Sequence, residues 1–146
     1  LRAMSHPITI IDTGPLVALL NRREKHHAWV VEQLRAISVP LVTCEAVISE
    51  AAYLLGQTDH GLSRLAELLR NQAILVAFRF DEEMSPVCDL LAKYSNVPMS
   101  FVDACLVRMS ETNVRSTVFT LDRDFLIYRQ SNGKEIPLLI PHCNTG

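Results

Sequence analysis

Asp12 closes the first apolar run of the chain, Ile8-Thr9-Ile10-Ile11-Asp12-Thr13-Gly14-Pro15. The run before it is β-branched throughout, which suits a strand buried on both faces. Pro15 can open a helix at its first position. An acid at the carboxyl end of a parallel strand is where open α/β sheets place ligands, and it can equally cap the following helix. The case for chemistry depends on whether other acids reach the same edge.

Three further stretches offer candidates. Glu50 has Ala46, Val47, Tyr53 and Leu54 three and four positions away on a helix. Its charge is thus expected among apolar residues, where it needs a salt-bridge partner or a role in a site. Glu45 lies about 140° further round the same helix and reads as a solvated helix start. Asp103 forms a capping box with Ser100, and Leu106 and Val107 share its face. The positive end of its helix favours an anion there. Asp122 is expected to follow the fourth strand as Asp12 follows the first, and Asp124 either joins it or begins the next helix.

The elements that would position these acids alternate. Strands are expected at 8–11, 40–43, 73–78, 116–121 and 136–140, the last kept to an edge by Pro137. Helices are expected at 16–20, around Val30, Val31, Leu34 and Ile37, at 44–55, around Leu62 to Leu69, around Met84 to Leu91, and at 101–111. Thr43 can cap the third helix. The pattern is that of one α/β domain with a short, mostly parallel sheet of about five strands flanked by helices. At 146 residues the chain suits a single domain, expected to occupy 4–146. Leu1-Arg2-Ala3 precedes a Met and reads as a cloning scar, with Met4 as the native start.

Composition excludes several classes. No apolar run is long enough to span a membrane. A formal net charge of −2 gives no overall pull toward nucleic acid, so phosphate binding must be local or mediated by a cation. Cys44, Cys88, Cys105 and Cys143 show no Cys-x-x-Cys spacing, and three of them lie in apolar helical stretches, as buried free thiols do. The histidines do not pair with them at zinc spacing, and His26-His27 reads as an exposed helix start. A reduced, cytoplasmic protein fits these features.

Each acid has a structural explanation, but the ordered set IIDTGPLVALLN, VTCEAVISEAAYLL, MSFVDACLVRMSE and VFTLDRDF resembles the PIN-domain ribonucleases. Within them it is similar to the toxins of VapC-type toxin–antitoxin pairs. The resemblance covers Ile8 to Phe125 and implies a three-layer sandwich around a parallel sheet. It implies Asp12, Glu50, Asp103 and Asp122 as catalytic, metal-binding acids, with Asp124 peripheral and Thr13 and Thr120 as supporting hydroxyls. An RNA substrate, a small antitoxin and a homodimer follow from the same likeness.

Charge explains why such a set needs a cation. Two carboxylates about 5 Å apart repel by roughly 3 kcal/mol at an effective dielectric of 20. Four in one pocket cannot all stay ionised without compensation. Oxygen ligands without His or Cys point to one or two Mg2+ or Mn2+ ions, which can activate water for phosphodiester hydrolysis. Arg22, Arg23, Lys25 and Arg123 are candidates to track flanking phosphates, or are ordinary surface charges.

Two other enzyme classes fit less well. A receiver domain needs an acidic pair after strand one and a phosphoacceptor after strand three, whereas strand one offers Asp12 alone. A HAD-type phosphatase needs an Asp where this chain has Gly14. A PIN scaffold or RNA-processing factor acting by binding alone would share the whole acid set.

Overall fold

The structure is a computed structural model that describes residues 6–38 and 40–142, so residues 1–3, expected to be a scar, Met4 and Cys143 lie outside the described residues. The chain runs β1 (Ile8–Ile11), α1 (Thr13–Leu20), α2 (His27–Leu34), β2 (Leu41–Thr43) and α3 (Glu45–Leu55). It continues through α4 (Gly61–Arg70), β3 (Ile74–Val76), α5 (Phe80–Lys93), α6 (Phe101–Thr112), β4 (Ser116–Phe119), a 3-10 turn (Arg123–Leu126) and β5 (Leu138–Leu139).

The sheet order is β3-β2-β1-β4-β5. Every strand pairing is parallel, and the antiparallel contact among the described residues is an isolated bridge between Arg129 and Glu135. The expected mostly parallel sheet is therefore wholly parallel, with helices flanking it as the α/β pattern requires. From β1 the chain builds outward to β2 and β3, then returns to place β4 on the other side of β1. The order reverses between β1 and β4, and such a switch point opens a crevice at the carboxyl ends of the strands. β3 is an edge strand, so an acid following it would not meet Asp12. That removes the receiver-like arrangement.

The core agrees with the β-branched and aliphatic patterning. Ile10, Ile11, Val118 and Phe119 in the central strands are fully buried, as are Leu16, Val47, Val87 and Leu106 from four helices. No helix among the described residues is long and apolar enough to cross a membrane.

Several local expectations change: β3 and β5 are shorter than the expected 73–78 and 136–140. α1 begins at Thr13 rather than Leu16, so Pro15 takes its third position. Proline is tolerated there because the first N–H groups of a helix have no partner within it. Thr43 does not cap α3: its hydroxyl donates to the Ile11 carbonyl at 2.8 Å, tying β2 to β1, and Cys44 takes the cap position. β4 ends at Phe119, two residues early. Cys44 and Cys105 are buried, but Cys88 is exposed on α5, so helical position alone did not bury it.

Candidate active site

The β1–β4 register pairs Ile11 with Phe119. The Asp12 N–H extends the ladder by donating to the Phe119 carbonyl at 2.9 Å. Asp12 and Thr120 are therefore next neighbours at the carboxyl edge, and the Thr120 hydroxyl donates to Asp12 Oδ2 at 2.7 Å. The other oxygen, Oδ1, accepts the Thr13 N–H at 2.7 Å and caps α1. Cap and site position thus coincide in one side chain. Burial pushes the Asp12 carboxyl up from 3.8 to about 6. The bonds from Thr120 and Thr13 oppose that rise, and the charges of Asp103 and Asp122 add to it.

Asp103 is held from two sides. Its N–H donates to Ser100 Oγ at 3.0 Å, and the Ser100 N–H reaches Asp103 Oδ2 at 3.5 Å, completing the capping box of α6. The Tyr128 hydroxyl donates to the same Oδ2 at 2.8 Å. Burial again raises the carboxyl above its ordinary value, with the Asp122 charge adding to it and the Tyr128 and Ser100 bonds opposing it. Tyr128 is fully buried, its ring edge-packed against Tyr94 and Phe125 with centroids 5.2 Å apart in each case. Burial and the neighbouring Asp103 keep its phenol protonated. Sequence reasoning missed Tyr128, because it follows the 3-10 turn in a segment without hydrophobic periodicity.

Asp122 and Asp124 arrive differently from the expectation. With β4 ended at Phe119, Thr120 occupies the position corresponding to Asp12. Asp122 instead caps the 3-10 turn, accepting the Asp124 N–H at 2.9 Å, while its own N–H donates to Thr120 Oγ1 at 2.9 Å. One threonine hydroxyl therefore positions both acids.

Glu50 also departs from expectation. It is exposed, Tyr53 and Leu54 beside it are 73% and 41% exposed, and no ion pair holds it among the described residues. Of the apolar neighbours counted along its helix, Ala46 and Val47 pack into the core, while Tyr53 and Leu54 face outward. Glu45 is exposed as expected and lines a separate hollow with Arg79 and Phe80.

The structure brings Asp12, Glu50, Asp103, Asp122 and Asp124 around one hollow of about 460 Å3, with Thr13, Gly14, Ser100 and Leu121 in its walls. A Cβ on Gly14 would sit 3.2 Å from Leu121 Cδ1, so the missing side chain lets this wall close. Thr13 Oγ1 is buried without a hydrogen-bond partner, a state that calls for an added ligand or water. Among the described residues no three His, Cys, Asp or Glu side chains converge closely enough to hold a metal ion by themselves. The acids surround the hollow rather than closing on one point.

The four candidate cations divide between two other hollows. Arg22 and Arg23 line one of about 420 Å3 with Arg64 and Asp59, at the far end of α1 from Asp12. Eight helical residues put that end about 12 Å away. Lys25 and Arg123 line one of about 560 Å3 that shares the Leu121 wall with the acid hollow.

Residues 9–130 match the PIN domain family. The chain is 30% identical over 117 residues to ribonuclease VapC26 of Mycobacterium tuberculosis, covering 78% of this chain and 86% of that protein. It is similar in fold to the crystal structure of Mycobacterium tuberculosis VapC20, described as a sarcin–ricin loop cleaving toxin. The TM-score is 0.70 at 18% identity, over 80% of this chain and 91% of that one.

Proposed function

The chain belongs to the PIN domain family, and we propose that it is an endoribonuclease, the toxin of a toxin–antitoxin pair, hydrolysing RNA phosphodiester bonds with Mg2+ or Mn2+. The observation that carries this reading is the gathering of five carboxylates on one hollow lined by neither histidine nor cysteine. Residues 4–146 form the nuclease domain in this reading, and an RNA substrate places its work in the cytoplasm.

The donor set fits a hydrated hard cation. Mg2+ keeps several waters and needs only one or two carboxylates of its own, which suits acids that surround a space without closing on it. The unpartnered Thr13 hydroxyl supplies a bond for one such water. Asp12, Glu50, Asp103 and Asp122 would hold the ion, with Asp124 at the rim. When bound, the ion contributes positive charge at the scissile phosphate and makes water a better nucleophile.

The residues of the chain do the rest. Asp12, oriented by Thr13 and Thr120, and Asp103, oriented by Ser100 and Tyr128, present their oxygens to the hollow in a set direction. Glu50 is free to reorient as substrate enters. In this reading the carboxylates would hold the ion rather than attack phosphorus, so hydrolysis proceeds by water without a covalent enzyme intermediate. A small antitoxin neutralises the same hollow by covering it or inserting a basic residue, and the toxin itself works as a homodimer.

The test is incubation with total RNA, with and without chelator, followed by mapping of the cleaved ends. Discrete cleavage that chelator abolishes is expected. RNA binding without cleavage at any divalent ion concentration would replace this reading with that of a PIN scaffold.

A further inference from the structure

The hollow sharing Leu121 with the acids is opposite to the acid hollow in charge. Lys25, His26, Trp29, Arg123 and His142 line it, and it contains no carboxylate. The geometry points to a nucleotide subsite for single-stranded RNA, in which Lys25 and Arg123 hold a backbone phosphate and Trp29 stacks the attached base. The proposal rests on the nuclease reading only for where the scissile bond lies.

Three observations carry it. Lys25 and Arg123 are exposed, and neither has an ion-pair partner among the described residues, whereas Arg35, Arg79, Arg108 and Arg129 are each matched to a glutamate or aspartate. Unmatched cations in a chain of net charge −2 are available to an external anion. Trp29 is only partly buried, and its ring is anchored at 5.7 Å from the core ring of Phe119. A fixed, partly exposed indole loses little conformational freedom on binding, and every base offers it a π-face.

Position supplies the third argument. Arg123 directly follows Asp122, and Leu121 lies in both walls. A strand whose phosphate sits at the acids therefore has the cationic hollow beside it, across the shared Leu121 wall. Single-strand channels combine the same two features, a cationic groove and stacking aromatics. The Arg22–Arg23 hollow shares no wall with the acids and contains Asp59, so it matches this chemistry less well.

Trp29 is the one tryptophan of the chain, so its fluorescence reports this hollow alone. The experiment titrates the full chain with a short single-stranded oligoadenylate, in EDTA so that nothing is cleaved. Affinity is read in parallel by anisotropy of labelled RNA. Saturable quenching of Trp29 is expected, with the same dissociation constant as the anisotropy. Lys25→Glu with Arg123→Glu should raise that constant at least tenfold, and lower the slope of log affinity against log salt by about 0.7 for the one lost phosphate contact. Arg70→Glu, an equally exposed charge reversal on α4, should raise it less than threefold. Trp29→Phe should keep part of the stacking and Trp29→Ala lose about tenfold or more in affinity.

Binding that leaves Trp29 fluorescence unchanged, or a double reversal no worse than Arg70→Glu, overturns the subsite. If quenching and its charge dependence hold but no divalent ion gives cleavage, the nuclease reading falls and the subsite stands. If Mn2+-dependent cleavage keeps its KM in the double reversal, the subsite falls and the nuclease reading stands.

Discussion

Thr120 donates its hydroxyl to Asp12 Oδ2 across 2.7 Å, although 108 residues separate the two in sequence. Parallel pairing of β1 with β4 makes them neighbours, and Thr120 Oγ1 itself accepts the Asp122 N–H. The bond stabilises the charged form of Asp12 against the burial that raises it. Thr120→Val should therefore lift the Asp12 carboxyl further above 6 and destabilise the chain by about 1–3 kcal/mol at neutral pH, since a buried acceptor loses its donor. Thr120→Ser should restore both. Carboxyl-carbon NMR titration reads the first effect and urea unfolding the second. A valine variant whose Asp12 titrates unchanged contradicts the role.

Acidity gives a second test. Asp12 titrates at about 6 in the folded chain instead of 3.8, so the folded state keeps a proton that the unfolded chain releases. Stability from this group is fully present below about 3.8 and is lost as pH rises through about 6. For so buried a group the loss is on the order of 3 kcal/mol. Asp103, also raised by burial, acts in the same direction. In metal-free buffer, Asp12→Asn should gain stability relative to the natural chain as pH climbs from 4 to 7. A constant difference between the two across that range would contradict the assignment.

Tyr128→Phe removes a single hydroxyl while retaining the ring that packs on Tyr94 and Phe125. Partners that orient metal-binding side chains typically contribute 10–100-fold in affinity or activity. The variant should lose about that much activity at limiting Mn2+, recover part of it at saturating Mn2+, and unfold within about 1–2 kcal/mol of the natural chain. Equal activity at limiting Mn2+ would reduce Tyr128 to a core residue.

The parts of this site that were legible in the sequence, and those that were not, differ for physical reasons. The Ile8–Ile11 strand and the Ser100–Asp103 box are local signals, read from β-branching and from capping spacing. The end of β4 was misread because Thr-Val-Phe-Thr-Leu favours strand throughout, while the turn is made by Thr120 bonding to the Asp122 N–H. Glu50 was expected among buried neighbours because helical spacing cannot tell whether another element covers that face, and here none covers Tyr53. Tyr128 reaches Asp103 through tertiary packing alone. The separation of Arg22 and Arg23 from Lys25 and Arg123 likewise depends on where α1 ends in space.

Metal linkage tests whether the acids act together. At 100 times its dissociation constant a ligand of the folded state adds about 2.7 kcal/mol, a rise of roughly 5–10 °C in Tm for a chain of this size. Millimolar Mn2+ should produce that rise in the natural chain. Asp103→Asn should unfold at the same or a higher temperature without metal, because a buried charge is gone, and should show little Mn2+ response. An equal Mn2+ shift in both proteins would mean that Asp103 takes no part in holding the ion.

The central claim is that these carboxylates form one metal-dependent ribonuclease site, and the initial rate of RNA cleavage at saturating Mn2+ tests it most directly. The natural chain should cleave at discrete sites, and Glu45→Gln should match it within about twofold. Asp12→Asn and Asp103→Asn should fall by at least about a hundredfold, as removal of a group acting in the transition state does. Undiminished cleavage by Asp103→Asn, with the fold intact, would contradict the account.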